Sequence, residues 1–158
     1  MLTMTGTRQL IDEFLGQKRI AVVGVSRHAR DFNRTLFREF RKRGYEVVPV
    51  NPQATEIDGQ RCYARVQDIT PMVQAALLLT PSETTEKVVW DCAEAGIHRV
   101  WMYRVGGKGA VSQAALEFCN QNGIRVIPGF CPLMFFPDTA WFHRLHGLVM
   151  KITGSYPR

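Results

Sequence analysis

The chain lacks most of the features that would set it apart from an ordinary globular protein. No apolar run approaches the ~18 residues that a membrane-spanning helix requires. No internal repeat or low-complexity stretch interrupts its 158 residues. The start, Met1 to Gly16, has no basic segment followed by an apolar block and does not read as a signal peptide. Cysteine is scarce, at positions 62, 92, 119 and 131, and no pair is spaced Cys-x-x-Cys. That excludes a disulfide scaffold, speaks against zinc, and predicts reduced thiols in a cytoplasmic setting. A Ser/His/Asp order, a paired-carboxylate motif and His-Glu-x-x-His are also missing, so the sequence presents no catalytic set. His143 and His146 lie three apart, and no third metal ligand accompanies them.

What is present is balanced. Hydrophobic residues make up 46% and charged residues 22%, and 20 basic against 14 acidic side chains leave a net charge of +6. Such a surface suits anionic partners without choosing among them. The length suits one compact domain.

Hydrophobic periodicity gives an alternating order of elements. Thr7 to Leu15 reads as a helix, and Arg19 to Gly24 as a short, β-branched, buried strand. A helix from Asn33 to Arg43 follows, then strands Glu46–Val50 and Gln74–Leu79, with an Asp58-Gly59 turn between them. Thr80-Pro81-Ser82-Glu83 has the form of a capping box with Pro81 at the first helical position, opening a helix to Ala95. Strand Arg99–Tyr103, helix Ala110–Gln121, strand Ile124–Ile127 and a last helix Asp138–Lys151 complete the series. Strands alternating with helices predict a doubly wound, five-stranded parallel sheet of Rossmann-like α/β type. Ligands of such sheets bind beyond the carboxyl ends of the strands.

The segments at that edge carry the chemistry. Gly24-Val25-Ser26 ends the first strand without the Gly-x-Gly-x-x-Gly spacing, yet its glycine lets a ligand approach the backbone. Strand two ends in Asn51-Pro52-Gln53, where an NAD-binding fold places a carboxylate, so NAD is disfavoured. Arg27, Arg30, Arg34, Arg38, Arg41, Lys42 and Arg43 face only Asp31 and Glu39 in this region. Arg27, Arg30 and Arg34, near the helix start, are candidates for phosphate contact, and Arg38 to Arg43 read as a solvated face. The aromatics of that helix fall on its apolar side, which argues against nucleic acid. Gly106-Gly107-Lys108-Gly109 fails as a P-loop and reads as a loop at the mouth of a cleft. Cys131, before Pro132, reads as a packed small residue, with a reactive thiol as the alternative. The apolar tail from Phe130 to Met150 points to a homo-oligomer.

Ile20 to Ser26, Tyr45 to Pro52, Gly59 to Tyr63, Thr80 to Ser82, Val100 to Met102 and Cys131-Pro132, in that order, resemble the small stand-alone CoA-binding proteins. Those are similar in turn to the CoA-binding domain of the succinyl-CoA synthetase alpha subunit. The resemblance covers Leu15 to Pro132 and implies a single domain over 1–158, with a core of about 15–132 and a helical tail 133–158. It implies that coenzyme A or an acyl-CoA lies along the carboxyl edge of the sheet, bound without catalysis. The phosphates would lie over Gly24, Val25, Ser26 and the helix start at Asn33, with Arg27 or Arg34 in support. Asn51 and Pro52 would border the adenosine, Thr80, Pro81 and Ser82 would flank the cleft, and Met102 and Tyr103 would face the pantetheine. Gln53 stands where the family often has Lys, and the loop Arg27–Phe32 departs from its pattern. The ligase relatives carry a second domain with a phosphorylated histidine, for which 158 residues leave no room, so ligase activity does not transfer. An NAD(P)-dependent oxidoreductase or a nucleotide-binding regulatory protein is the alternative.

Overall fold

The computed structural model describes residues 4–105, 107 and 109–136. Helix α1 (Met4–Leu15) leads into strand β1 (Arg19–Val23), helix α2 (Phe32–Lys42) and strand β2 (Glu46–Val50). A hairpin of β3 (Glu56–Ile57) and β4 (Gln60–Arg61) precedes β5 (Ala75–Leu78), α3 (Ser82–Glu94), β6 (Arg99–Met102), α4 (Gln113–Gln121) and β7 (Arg125–Pro128). The main sheet runs β2-β1-β5-β6-β7 with every pair parallel. This is the doubly wound, Rossmann-like order expected from the alternation, and its direction reverses between β1 and β5.

Side chains alternate across the sheet and feed two cores. Ile20, Val22, Leu77 and Trp101 point to one face, covered by α1 and α2 through Ile11, Phe14, Leu36, Phe37 and Phe40. Ala21, Val23, Leu78 and Met102 point to the other, covered by α3 and α4 through Val88, Val89, Cys92, Ala115 and Cys119. Burial on both faces is what makes these strands read as unbroken apolar runs. Helix α1 packs on β6 and β7, and the Phe14 ring meets Trp101 edge to face at 5.3 Å. Each such fully buried aromatic contributes about 1.5–3 kcal/mol by leaving water.

Three details differ from the sequence reading, and a fourth, the Asp58-Gly59 turn, agrees with it and gains a hairpin. Pro81 occupies the N-cap of α3 with no side-chain cap, so the capping box is not built; Thr80 Oγ1 instead meets Thr85 Oγ1 at 2.7 Å. Helix α4 starts at Gln113 behind Ser112, whose Oγ accepts from Ala115 N, because Gly109 and Ala110 belong to a loop that returns onto Tyr103. The Asp58-Gly59 turn closes a two-stranded hairpin, with φ +49 and +78 at its central residues, the left-handed pair that such turns require. The basic stripe of α2 is not merely solvated. Arg38 donates to both carboxylate oxygens of Asp58, at 2.7 and 2.9 Å, and Arg41 donates to the Asp58 carbonyl.

The start of the apolar tail is also used within the chain. Leu133 and Met134 are buried, and Phe130, Phe135 and Phe136 pack against the first core. The remainder of that tail, the expected helix Asp138–Lys151, His143 and His146, and Gly106 and Lys108 lie outside the described residues. Among the described residues no helix is long and apolar enough to cross a membrane.

Candidate functional site

A cleft of about 480 Å³ opens where the strand order reverses, above the carboxyl ends of β1 and β5. Gly24, Ser26, Asp31 and Asn33 form one wall, Leu79, Thr80 and Pro81 the floor and second wall, and Tyr103, Gly109 and Ala110 the third. Gly24 holds φ +89, and a β-carbon there would meet the Leu79 carbonyl carbon at 3.1 Å and Thr80 Cγ2 at 3.2 Å. Gly109, at φ +52, comes so close to Tyr103 that its β-carbon would lie 2.6 Å from the Tyr103 oxygen. Both glycines are therefore dictated by close backbone approach.

The β1–α2 loop is braced from several sides. The Asn33 side-chain amide donates to the carbonyls of Gly24 (3.3 Å) and Leu79 (3.4 Å), tying the two strand ends together. Asn51 Nδ2 donates to Val25 O at 2.9 Å, and its Oδ1 accepts from Gln53 N at 2.8 Å. Arg34 Nη1 donates to Ser26 O at 2.6 Å. The Ser26 hydroxyl donates to the Asp31 carboxylate and accepts from His28 N. By contrast, the N–H groups of Val25, Ser26 and Arg27 make no hydrogen bond among the described residues. The side chains of Arg27 and Arg30 are exposed and likewise have no partner there.

Of the sequence-derived candidates, the cleft gathers Gly24, Ser26, Asn33, Thr80, Pro81 and Tyr103. Arg27, Asn51, Pro52 and Ser82 do not line it; Arg27 and Ser82 each follow a lining residue in the chain. Val25 and Met102 are fully buried with their side chains in the cores, so neither presents a side chain to a ligand. Arg34 does not stand free at the helix start. It is 8% exposed, and its Nε lies 3.3 Å from Asp58 Oδ1. Gly109, from the loop read as the mouth of a cleft, does line it, whereas Asp31, Leu79 and Ala110 were not signalled by the sequence. Asp31 could have been, as the acidic residue directly before α2.

Burial raises two titratable groups near the cleft. Burial, with the nearby Cys131, pushes the Tyr103 hydroxyl up to about 12. Burial pushes the Cys131 thiol up to about 11, and the residue is 1% exposed. A thiol so placed is a packed small hydrophobe, not a reactive thiolate. Phe32, 42% exposed, stands over Tyr103 with ring centroids 5.9 Å apart and makes an apolar lip.

A parallel α/β sheet with a glycine-bounded cleft at the reversal of strand order defines a domain of the nucleotide-binding kind. Comparison with known proteins narrows that class. The chain belongs to the family described as CoA binding domain, which it matches over residues 18–137. It is 26% identical over 130 residues to the alpha subunit of acetate–CoA ligase [ADP-forming] II of Pyrococcus furiosus, a match covering 77% of this chain and 28% of that subunit. It is 26% identical over 114 residues to the uncharacterized protein YneT of Bacillus subtilis, covering 72% of this chain and 82% of YneT. Among solved structures, a hypothetical protein from Pyrococcus horikoshii OT3 superposes with a TM-score of 0.72 at 24% identity, over 83% of this chain and 87% of that one, and shows the same fold.

Proposed function

We propose that the chain captures coenzyme A, or an acyl-CoA, without covalent chemistry, in the cleft between the ends of β1 and β5. The observation that carries this reading is the run of N–H groups from Val25 to Arg27 that are uncommitted among the described residues, beside two arginines unpartnered there, on the glycine loop of a CoA binding domain. Successive backbone N–H groups in a loop make an anion-binding concavity. The phosphates are assigned to Ser26 and Arg27, with the Arg27 and Arg30 side chains adding charge. The N-terminus of α2 is the poorer seat, because the Asp31 carboxylate already lies there.

Thr80, Pro81 and Ser82 form the opposing side, and Asn51-Pro52 border the adenosine. Tyr103, seated on the buried Met102 and faced by Phe32, offers apolar surface to the pantetheine. Capture without turnover is supported by the chemistry of the groups present: a thiol and a phenol held protonated near neutral pH are neither nucleophile nor base. A dinucleotide is served less well, since both ends of the Asn51 side chain are engaged and no carboxylate stands there for a ribose. The ligase relative is matched over 28% of its length, so what is carried over is its ligand and not its reaction.

Isothermal titration of the folded chain with CoA, 3′-dephospho-CoA and NADPH tests the proposal. Saturable binding of CoA, weakened in the dephospho form and not displaced by NADPH, is expected. No heat at millimolar CoA overturns it.

A further inference from the structure

Three consecutive carbonyls of the β1–α2 loop accept from three different side chains: Gly24 O from Asn33, Val25 O from Asn51 and Ser26 O from Arg34. A trans peptide is planar, so its C=O and the following N–H point in opposite directions. Fixing the oxygens of Val25 and Ser26 therefore fixes the directions of the Ser26 and Arg27 N–H groups. Neither Asn51 nor Arg34 lines the cleft. Both hold their carbonyls from outside it, so the two N–H groups point away from Asn51 and Arg34.

Arg34 is itself held from a distance. Its Nε lies 3.3 Å from Asp58 Oδ1, in the hairpin turn twenty-four residues further along the chain. Asp58 is gripped in turn by the two-pronged contact of Arg38. Arg34 thus faces a carboxylate inside the fold, one that it shares with Arg38. We propose that Asn51, Arg34 and, through Arg34, Asp58 are positioning residues, which aim the Ser26 and Arg27 N–H groups at the anionic end of the ligand without touching that end. The ligand part of this proposal rests on the reading of the cleft as a CoA site. The aiming of the amides does not.

The variants Asn51→Ala, Arg34→Gln and Asp58→Asn, with folding checked by thermal melting, separate positioning from direct contact. Asp58→Asn is the informative one, because asparagine also tolerates the left-handed turn. It removes a negative charge, which by long-range attraction alone would tighten an anion, whereas lost positioning loosens it. CoA is expected to bind roughly tenfold more weakly to each variant, in line with a lost charged hydrogen bond. In Arg34→Gln the slope of log Kd against log salt concentration is expected to stay that of the unaltered chain. Amide resonances of Ser26 and Arg27 in the ligand-free Asp58→Asn protein are expected to shift, while those of β5 and β6 stay put. Unchanged or tighter CoA binding in Asp58→Asn, or a flatter salt slope in Arg34→Gln, overturns the proposal. If the unaltered chain binds no CoA, the functional reading fails, and the amide shifts still decide the positioning: unmoved Ser26 and Arg27 resonances reject it.

Discussion

A β-carbon placed on Gly24 would stand 3.1 Å from the carbonyl carbon of Leu79, so the two strand ends that bound the cleft meet where only glycine fits. The φ of +89 at Gly24 adds backbone strain for any other residue. Gly24→Ala is expected to lower stability by about 1–3 kcal/mol and to abolish CoA binding, read by thermal melting and calorimetry. Unaltered melting would contradict the close packing.

Asp31 and the arginines of the same loop pull in opposite directions on an anion. Asp31→Asn keeps an acceptor for the Ser26 hydroxyl and removes a charge from the cleft wall, so CoA is expected to bind several-fold more tightly. The pair Arg27→Ala and Arg30→Ala is expected to bind it several-fold more weakly and with less dependence on salt, at unchanged melting temperature. The same sign of change for both variants would remove the electrostatic account of the site.

Hydrogen bonds from Arg38, followed by the charge of Arg34, hold the Asp58 carboxyl below its ordinary value of 3.8. A depressed carboxyl stabilises the fold fully above that ordinary value, and the contribution is lost as the pH falls through the lower folded value. Urea midpoints of the natural chain and of Asp58→Asn, compared at neutral pH and between about pH 4 and 2, are expected to converge toward the acid end. A difference that is independent of pH would show that the Asp58 charge is not what the arginines hold.

All four cysteines are buried, and burial pushes Cys131 and Cys119 each up to about 11. At pH 8 a thiol reagent such as DTNB is expected to modify none of them within minutes, and all four once guanidinium unfolds the chain. A single fast thiol that disappears in Cys131→Ser would restore a reactive role for that residue.

The sheet was legible because each strand is buried on both faces and therefore stands out as an apolar run, as in Ile20-Ala21-Val22-Val23. The glycine turn and Thr80-Pro81 were legible as cleft segments because strand ends at the reversal of order must meet there. What the sequence concealed was partnership at long range. Arg38 and Arg41 look like a solvated stripe, and Arg34 like a phosphate contact, until the hairpin brings Asp58 beneath them, and nothing local announces that pairing. Ala110 was hidden for a similar reason. It enters the cleft only because the loop doubles back to Tyr103, where Ala110 N donates to the Tyr103 carbonyl at 2.8 Å.

Helix α1 lies upstream of the region shared with the family, which begins at residue 18, yet Leu10, Ile11 and Phe14 are buried in the same core as Trp101. Trimming the chain to the family's boundaries would strip the roof from one side of β6 and β7 and take from the Trp101 indole the Phe14 ring that meets it. The shared stretch thus ends inside a core that the leading helix completes.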